Sequence, residues 1–253
     1  MTITKSSWSR YIAQLRRVND AASAAMQAYL KAHGLPETEL DEDAMIDVAY
    51  AIAKKYGEAS ATLAARMYNS LARQAGQLVP DAVPAAAPTV HEVAKAVVGT
   101  AKTGNPEIVS SAVGRLVKQT GVDTTMRNAL RDGAEWAWIP QGETCAFCIA
   151  LAGNGWQRAS RDAIRGGHAE HIHANCDCTY AIRFDTKTSV AGYDPEEYRR
   201  MYDEAEGRKP QDKINSMRRE FYAQNRERIL EQKRDAYETR KELDSSAAEE
   251  DDA

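Results

Sequence analysis

The sequence predicts a mainly α-helical fold with one small α+β module, a helical N-terminal half and a long charged C-terminal helix. Apolar residues recur at steps of three and four through the first 133 positions, which indicates amphipathic helices. Two short alternating segments rich in aromatic residues follow, and all four cysteines lie between them. With 43% hydrophobic and 28% charged residues, a net charge of -4 and a mean hydropathy of -0.57, the composition is that of an ordinary globular protein. This charge balance excludes nucleic-acid binding by the whole surface and leaves only local contacts.

The first 79 residues predict a helical hairpin. One apolar stripe covers 5–33 and ends at Gly34, and a second predicts a helix from about 40 to 77. Because each stripe must be buried, we expect the two helices to pack against each other as an antiparallel hairpin. The next segment, 80–88, contains three prolines among small residues and predicts a semi-rigid linker.

Three further helices are predicted between the linker and the cysteines, at 89–102, 105–120 and 123–133. Thr89 and Glu92 have the spacing of a capping box at the start of the first one. The second begins with an asparagine followed by a proline, and the third ends at a glycine. We expect these helices to supply core or partner-facing surfaces.

Two strands are predicted at 134–139 and 179–184, and together with the cysteines between them they define a module over 134–184. Beyond the module, 185–241 predicts charged helices. Its main part, 208–241, has eleven basic and six acidic residues with sparse apolar positions, which predicts a long, solvated helix of net charge +5. The last segment, 242–253, has six acidic residues and no basic one, and we interpret it as a disordered tail.

The cysteines form two close pairs, as expected of metal ligands. The N-terminus lacks a secretion signal and no segment is apolar enough to span a membrane, so we expect synthesis in a reducing cytoplasm, where clustered cysteines favour metal over disulfides. Zn²⁺ prefers four thiolate or imidazole ligands, and a CxxC turn lets two sulfurs reach one ion. The spacing therefore predicts a structural zinc knuckle. Its candidate ligands are Cys145, Cys148, His173, and either Cys176 or Cys178.

The choice among the ligands stays open at two positions. Cysteines at i and i+2 of a strand point to the same face, so spacing does not separate Cys176 from Cys178, and His171 could replace His173. The competing interpretation treats the thiols as small buried apolar groups. We favour a closed structural site over a catalytic one because enough ligands exist to fill all four positions, and we expect no enzymatic activity.

Two zinc-dependent enzymes of nucleic acids are the alternative functions. His168 and Glu170 match the HxE element of zinc deaminases, but in those enzymes this element precedes the CxxC pair, whereas here it follows. The histidine-rich segment 168–175 suggests a metal-dependent nuclease or toxin, but no clear ββα pattern follows it.

The segment from Thr144 through Cys145, Cys148, Leu151 and Gly153, followed by a closing cluster, resembles the phage Mu F-like head morphogenesis family. That family carries a CxxCxxLxG element and a closing HPNCRC. The closing cluster of this chain is His173-Ala174-Asn175-Cys176-Asp177-Cys178, in which alanine and aspartate stand where the family usually has proline and arginine.

The resemblance, which extends over roughly 105–185, implies a minor capsid protein of a tailed phage. Such a protein would be made in the host cytoplasm and lie in the virion, inside the head near the portal, where it acts in assembly or in DNA packaging and delivery. We assign 89–184 to the Mu F-like domain and expect the hairpin of 1–79 to dock on portal or major capsid protein. The basic helix of 208–241 is the candidate contact with packaged DNA, and no membrane contact is expected.

Overall fold

A computed structural model of the chain describes residues 2–141, 145–159, 178–231 and 234. The fold is mainly helical with a few small strands, as predicted. No helix in these ranges is both long enough and apolar enough to cross a membrane. The predicted acidic tail of 242–253 lies outside the described residues.

The N-terminal hairpin is formed by α1 (Lys5–His33) and α2 (Glu39–Gln74), close to the predicted bounds. Thr4 caps α1, and Thr38 caps α2 in a capping box with Asp41. The two helices run antiparallel, since the start of α1 packs with the end of α2 in one core and the end of α1 with the start of α2 in another. The buried stripes therefore do pair, as their periodicity predicts.

Two further helices, α3 (Val90–Ala101) and α4 (Pro106–Asp132), complete a bundle in which α4 packs against the other three. The prediction of separate helices at 105–120 and 123–133 is wrong, because α4 is continuous through Gly121. The hydroxyl groups of Thr124 and Thr125 donate hydrogen bonds to the carbonyls of Thr120 and Gly121 within the helix. This polar stretch therefore does not break the helix.

The proline-rich segment 80–88 has no helix or strand, but it is not a free linker. It lies across α2 and α4, with Ala82 and Ala85 buried. The Asn128 side chain of α4 pairs with both backbone groups of Val83: Val83 N–H donates to Asn128 Oδ1 at 2.9 Å, and Asn128 Nδ2 donates to Val83 O at 2.9 Å. Thr124 Oγ1 accepts from Ala85 N–H at 2.9 Å. We call residues 80–88 the strap.

A three-stranded sheet follows the bundle. Its central strand β2 (Glu135–Ile139) pairs antiparallel with β3 (Gln157–Arg158) on one side and β4 (Thr179–Arg183) on the other. The two strands predicted from the aromatic segments are thus both present, and the structure shows that they are neighbours in the sheet. The short helix α5 (Ala146–Ala152) lies between β2 and β3 in the chain.

The N-terminal strand and the helices after β5 complete the described part of the fold. At the N-terminus, β1 (Thr2–Ile3) pairs in parallel with β5 (Ser189–Val190). Two helices follow β5 in the chain, α6 (Pro195–Glu204) and α7 (Pro210–Gln224). The single helix predicted over 208–241 is wrong where it can be checked: α7 ends before Asn225, whose backbone departs from helical geometry, and helix resumes at 226–231.

Glycines in α4 allow the helices of the bundle to approach closely. A Cβ built on Gly121 would lie 2.5 Å from Ser60 Oγ of α2, and one on Gly114 would lie 2.5 Å from Ser23 Oγ of α1. Real Cβ atoms do not tolerate such distances. The glycines therefore fix the spacing of α4 from both hairpin helices.

This contact makes a prediction about paired substitutions. Gly121→Ala alone should destabilise the fold by about 1–3 kcal/mol, because the new methyl meets Ser60 Oγ in a packed seam. In a Ser60→Ala background the nearest remaining atom is the Ser60 backbone oxygen at 3.4 Å, an ordinary contact, so the double variant should recover this loss. Chemical denaturation of all three proteins measures the coupling.

Gly99→Ala on α3 is the matched control, since a Cβ added at Gly99 would have no atom within 4 Å. There, alanine should stabilise the protein by up to about 1 kcal/mol through helix propensity. Equal effects of Gly121→Ala with and without Ser60→Ala would contradict close packing as the cause.

Candidate metal centre

The register of the sheet decides which side chains share a face. Trp138 lies opposite Tyr180, and Trp136 lies opposite Ile182. Directly opposed residues of an antiparallel pair point to the same face, as do residues two apart along a strand. One face therefore carries both tryptophans and Tyr180.

Both tryptophans are buried, and both pack against the ring of Tyr180. The Tyr180 ring makes edge-to-face contacts with Trp136 at 4.8 Å and with Trp138 at 4.7 Å between ring centroids. Such contacts add to the burial of apolar area. We call Trp136, Trp138 and Tyr180 the aromatic wall. Cys148 and Cys178 belong to the same buried cluster as these three residues.

The CxxC pair lies at the start of α5. Cys145 is the N-cap residue, with an extended backbone, and it is partly exposed. Cys148 lies in the first turn and is 2% exposed. Burial raises the pKa of Tyr180, and the negative charge available at Cys148 raises that pKa further, which places Cys148 near the aromatic wall.

Cys178 lies directly before β4, across from the end of β2. It is 1% exposed, and its Sγ accepts a hydrogen bond from the Gln141 backbone N–H at 3.4 Å. Burial raises the pKa of Tyr198 of α6, with Glu197 and then Cys178 adding to the effect, so Cys178 also lies near that helix. An N–H donated to sulfur favours the thiolate over the thiol.

The rest of the CxxCxxLxG element has a packing role. Leu151 is buried in the core that contains the sheet. A Cβ on Gly153 would lie 3.0 Å from the backbone of Arg199 in α6. Arg199 Nε donates to Gly153 O at 3.2 Å, and Tyr193 Oη donates to Ala152 O at 2.7 Å. Because Gly153 has no side chain, α6 can cross the end of α5. The two hydrogen bonds hold this end of α5, the helix that begins after Cys145 and contains Cys148.

The described thiols do not complete a metal site by themselves. Among the residues that the structure describes, no three His, Cys, Asp or Glu side chains are placed to hold a metal ion. His173 and Cys176 lie outside the described residues, as do His168 and His171. The donor chemistry of the three described cysteines suits zinc, and a complete tetrahedron needs ligands from the segment 160–177.

Sequence reasoning did not anticipate the groups that surround the thiols. Gln141 contributes only its backbone N–H, which no side-chain pattern reveals. Tyr180 could have been identified from its position two residues after Cys178 on a predicted strand, because that spacing puts both on one face. Gly153 is part of the family element, but its packing reason depends on α6, which is distant in sequence.

Comparison with known proteins gives one match. The VG15 protein family matches residues 2–205, which covers the helical bundle, the sheet, the cysteines and α6. Neither the search of curated proteins nor that of solved structures found a match. The matched range includes more than half of the chain, and the chain therefore belongs to the VG15 protein family, a family of viral proteins of phages.

Proposed function

We propose that this phage protein is a minor capsid protein acting in head morphogenesis, located inside the head near the portal. The observation that carries the proposal is the VG15 match over residues 2–205, since it makes the chain a phage protein. The cysteine elements that resemble the Mu F-like family give the more specific role. In this proposal the virion holds the protein, and it acts in assembly or in DNA packaging and delivery.

The proposed metal is one structural Zn²⁺ per chain, held by Cys145, Cys148, His173 and one of the two remaining cysteines. Cys148 and Cys178 support this because both are nearly fully buried beside the aromatic wall. A closed, buried environment suits a structural zinc, whereas a catalytic zinc keeps one position open to water or substrate. The same feature favours a non-enzymatic role over a zinc-dependent nuclease, deaminase or toxin.

The proposed docking surface for portal or major capsid protein is on the N-terminal hairpin side. Apolar side chains are exposed at both ends of α2. Leu40, in its first turn, is 79% exposed, and Val83, in the strap near its last turns, is 65% exposed. Single exposed apolar residues are common on any surface, so their location supports the proposal only together with the phage family.

The C-terminal basic segment is the proposed contact with packaged DNA. Residues 208–231 carry seven basic and four acidic side chains, and Arg218, Arg219 and Arg226 are exposed. Phe221 and Tyr222 are exposed among these arginines. Cationic and aromatic side chains on one surface suit phosphates and bases.

A protein truncated after Lys241, which lacks the acidic tail of 242–253, should bind duplex DNA more tightly than the full chain at low salt. The reason is that six acidic residues no longer compete for the basic segment. This advantage should vanish as salt rises past the physiological range, where the screening length is about 8 Å. Fluorescence anisotropy across a salt series measures both effects. Equal, salt-insensitive binding by both chains, or no binding by either, would remove DNA from the proposal.

The head role is tested by a phage in which the gene carries a nonsense codon early in the coding sequence. We expect heads grown in a suppressor host to contain the protein and those from a non-suppressor host to lack it and to be defective in assembly or DNA delivery. Normal particles without the protein would contradict the role. Gene neighbours that encode portal and major capsid proteins would favour it, whereas an adjacent immunity gene would favour the toxin alternative.

A further inference from the structure

We infer that one end of the N-terminal hairpin, made by the first half of α1 and the second half of α2, contacts the phosphates of duplex DNA. Residues 1–19 and 59–74 contain six basic residues and no acidic one. We call these six the basic end: Lys5, Arg10, Arg16, Arg17, Arg66 and Arg73. This surface is separate from the C-terminal segment discussed above. The choice of DNA as the polyanion rests on the proposed function, because DNA is what a phage head packages.

The antiparallel hairpin brings the two stretches to the same end of the bundle. Trp8 and Tyr11 of α1 lie in one core with Tyr68 and Leu71 of α2. These four side chains are buried, whereas all six basic side chains are exposed. The positive charge therefore lies on the solvent side of this end. The sequence does not show the cluster, because the second half of α1 and the first half of α2 separate its members along the chain.

The charge of the basic end is not neutralised by neighbouring carboxylates. Elsewhere in the fold, arginines have acidic partners: Arg131 Nε lies 2.7 Å from Asp132 Oδ1, and Arg183 Nη2 lies 2.6 Å from Glu135 Oε2. Within the residues that the structure describes, no ion pair is formed by Lys5, Arg10, Arg17, Arg66 or Arg73. Their charges can therefore act on the anionic groups of a partner.

The start of α1 adds to the positive potential. Acidic side chains in the first turn of a helix offset the positive end of its dipole. The next three helices have them, with Glu39 in α2, Glu92 in α3 and Glu107 in α4. The first turn of α1 has no acidic residue, and its first residue is Lys5. The dipole and this lysine thus act together, in favour of an anion.

The composition of the exposed side fits phosphates better than an acidic protein. Protein interfaces are built around an apolar and aromatic core. Among the described residues, none of the large hydrophobic side chains that are exposed lies in α1 or in the second half of α2. The exposed side of α1 instead carries Ser6, Ser9 and Gln14, whose side chains are typical partners of phosphate oxygens.

The opposite end of the hairpin orients the protein on DNA. Residues 37–47 contain six acidic residues and no basic one, so this end repels phosphates. The protein should therefore approach DNA with its basic end. Phosphate contacts carry no sequence information, and we expect binding that does not depend on the DNA sequence.

The test removes two charges at a time from each helix of the full chain. Arg10→Gln with Arg17→Gln, and Arg66→Gln with Arg73→Gln, each change one face, because seven residues make about two helical turns. Fluorescence anisotropy gives the affinity for duplex DNA of arbitrary sequence from about 50 to 200 mM salt. Each double variant should bind more weakly. Its slope of log K against log salt should be shallower by about 2, or about 1 per lost phosphate contact.

Lys95→Gln with Lys102→Gln is the matched control, since these exposed lysines have the same spacing but belong to the α3 region. The control should keep the wild-type slope. Wild-type slopes in both arginine variants, losses no larger than that of the control, or no DNA binding by the full chain would overturn the inference. All the exchanged side chains are exposed, and the second arginine pair still decides if the first does not fold.

This experiment separates the basic end from the proposed location of the protein. Binding is measured on the purified chain without phage particles. Absence of the protein from heads would therefore refute the location, whereas unchanged binding by the arginine variants would refute the DNA surface. If the arginine variants lose binding to purified portal protein and keep their affinity for DNA, the basic end docks a protein and the inference is wrong.

Discussion

Replacing Cys148 with serine should unfold the sheet and α5 while leaving the far end of the helical bundle intact. A structural zinc contributes on the order of 10 kcal/mol in small zinc domains, because its ligands rarely converge without it. Cys148 is also 2% exposed in the main core, so the hydroxyl would be buried in apolar surroundings. Both effects act in the same direction, and we expect loss of metal together with loss of protease resistance across 134–184.

The extent of unfolding follows from the two cores. The sequence alone suggests that the whole helix at 5–33 would be spared. In the structure, however, Trp8 and Tyr11 pack into the same core as the sheet, whereas Met26 and Leu30 pack into the second core with α2, α3 and α4. Protection should therefore persist in the C-terminal half of α1 and fall in its N-terminal half.

Hydrogen exchange resolved along the chain measures this pattern. Ala146→Ser is the matched control, since it places a hydroxyl at a buried position of the same helix without removing a thiol. It should keep its metal and most of its protection. Unchanged protection over 134–159 and 178–184 in Cys148→Ser would show that the thiol has no structural role.

Replacing Asn128 with alanine should release the strap and destabilise the protein by about 2–4 kcal/mol. The Asn128 side chain is 2% exposed and makes three hydrogen bonds: two to Val83, and one to Thr124 O at 2.7 Å. Each such bond contributes roughly 0.5–1.5 kcal/mol net, and the lost side chain also leaves a gap under the strap.

Asn69→Ala is the control for this prediction. Its side chain accepts one bond, from Ala82 N–H at 2.7 Å, and it is only partly buried, so about 1 kcal/mol is expected. Urea denaturation gives both values, and limited proteolysis should cut Asn128→Ala first within 80–88. Equal stability losses in the two variants, with no new cleavage in the strap, would contradict the role of Asn128 in holding the strap on α4.

Most of the helical architecture could be predicted because its signals are local. Capping residues and apolar periodicity gave α1, α2 and α3 within a few residues, and alternation gave β2 and β4. The predictions that differ from the structure concern segments whose conformation depends on residues distant in the sequence. Gly121 resembles a helix break in sequence but serves the close approach of Ser60, and the strap resembles a linker because its partners, Asn128 and Thr124, are about 40 residues away.

The candidate site was only partly predictable for the same reason. The spacing of Cys145 and Cys148 indicates a metal pair without any structure, since a CxxC turn is self-contained. The hydrogen bond from the Gln141 backbone N–H to Cys178 Sγ depends on the antiparallel register of β2 and β4, which no pattern of residues reveals. Periodicity fixes the face of a strand, but not the backbone group that lies across from it.

The central claim, that this phage protein lies inside the head near the portal, is tested most directly by protease treatment of purified phage heads, read by mass spectrometry. We expect peptides from 1–231 to resist digestion in intact heads and to be cut once the heads are opened. In heads treated with a chemical cross-linker, we expect portal protein to be recovered joined to this chain. Digestion of the chain in intact heads, or its absence from purified particles, would contradict the claim.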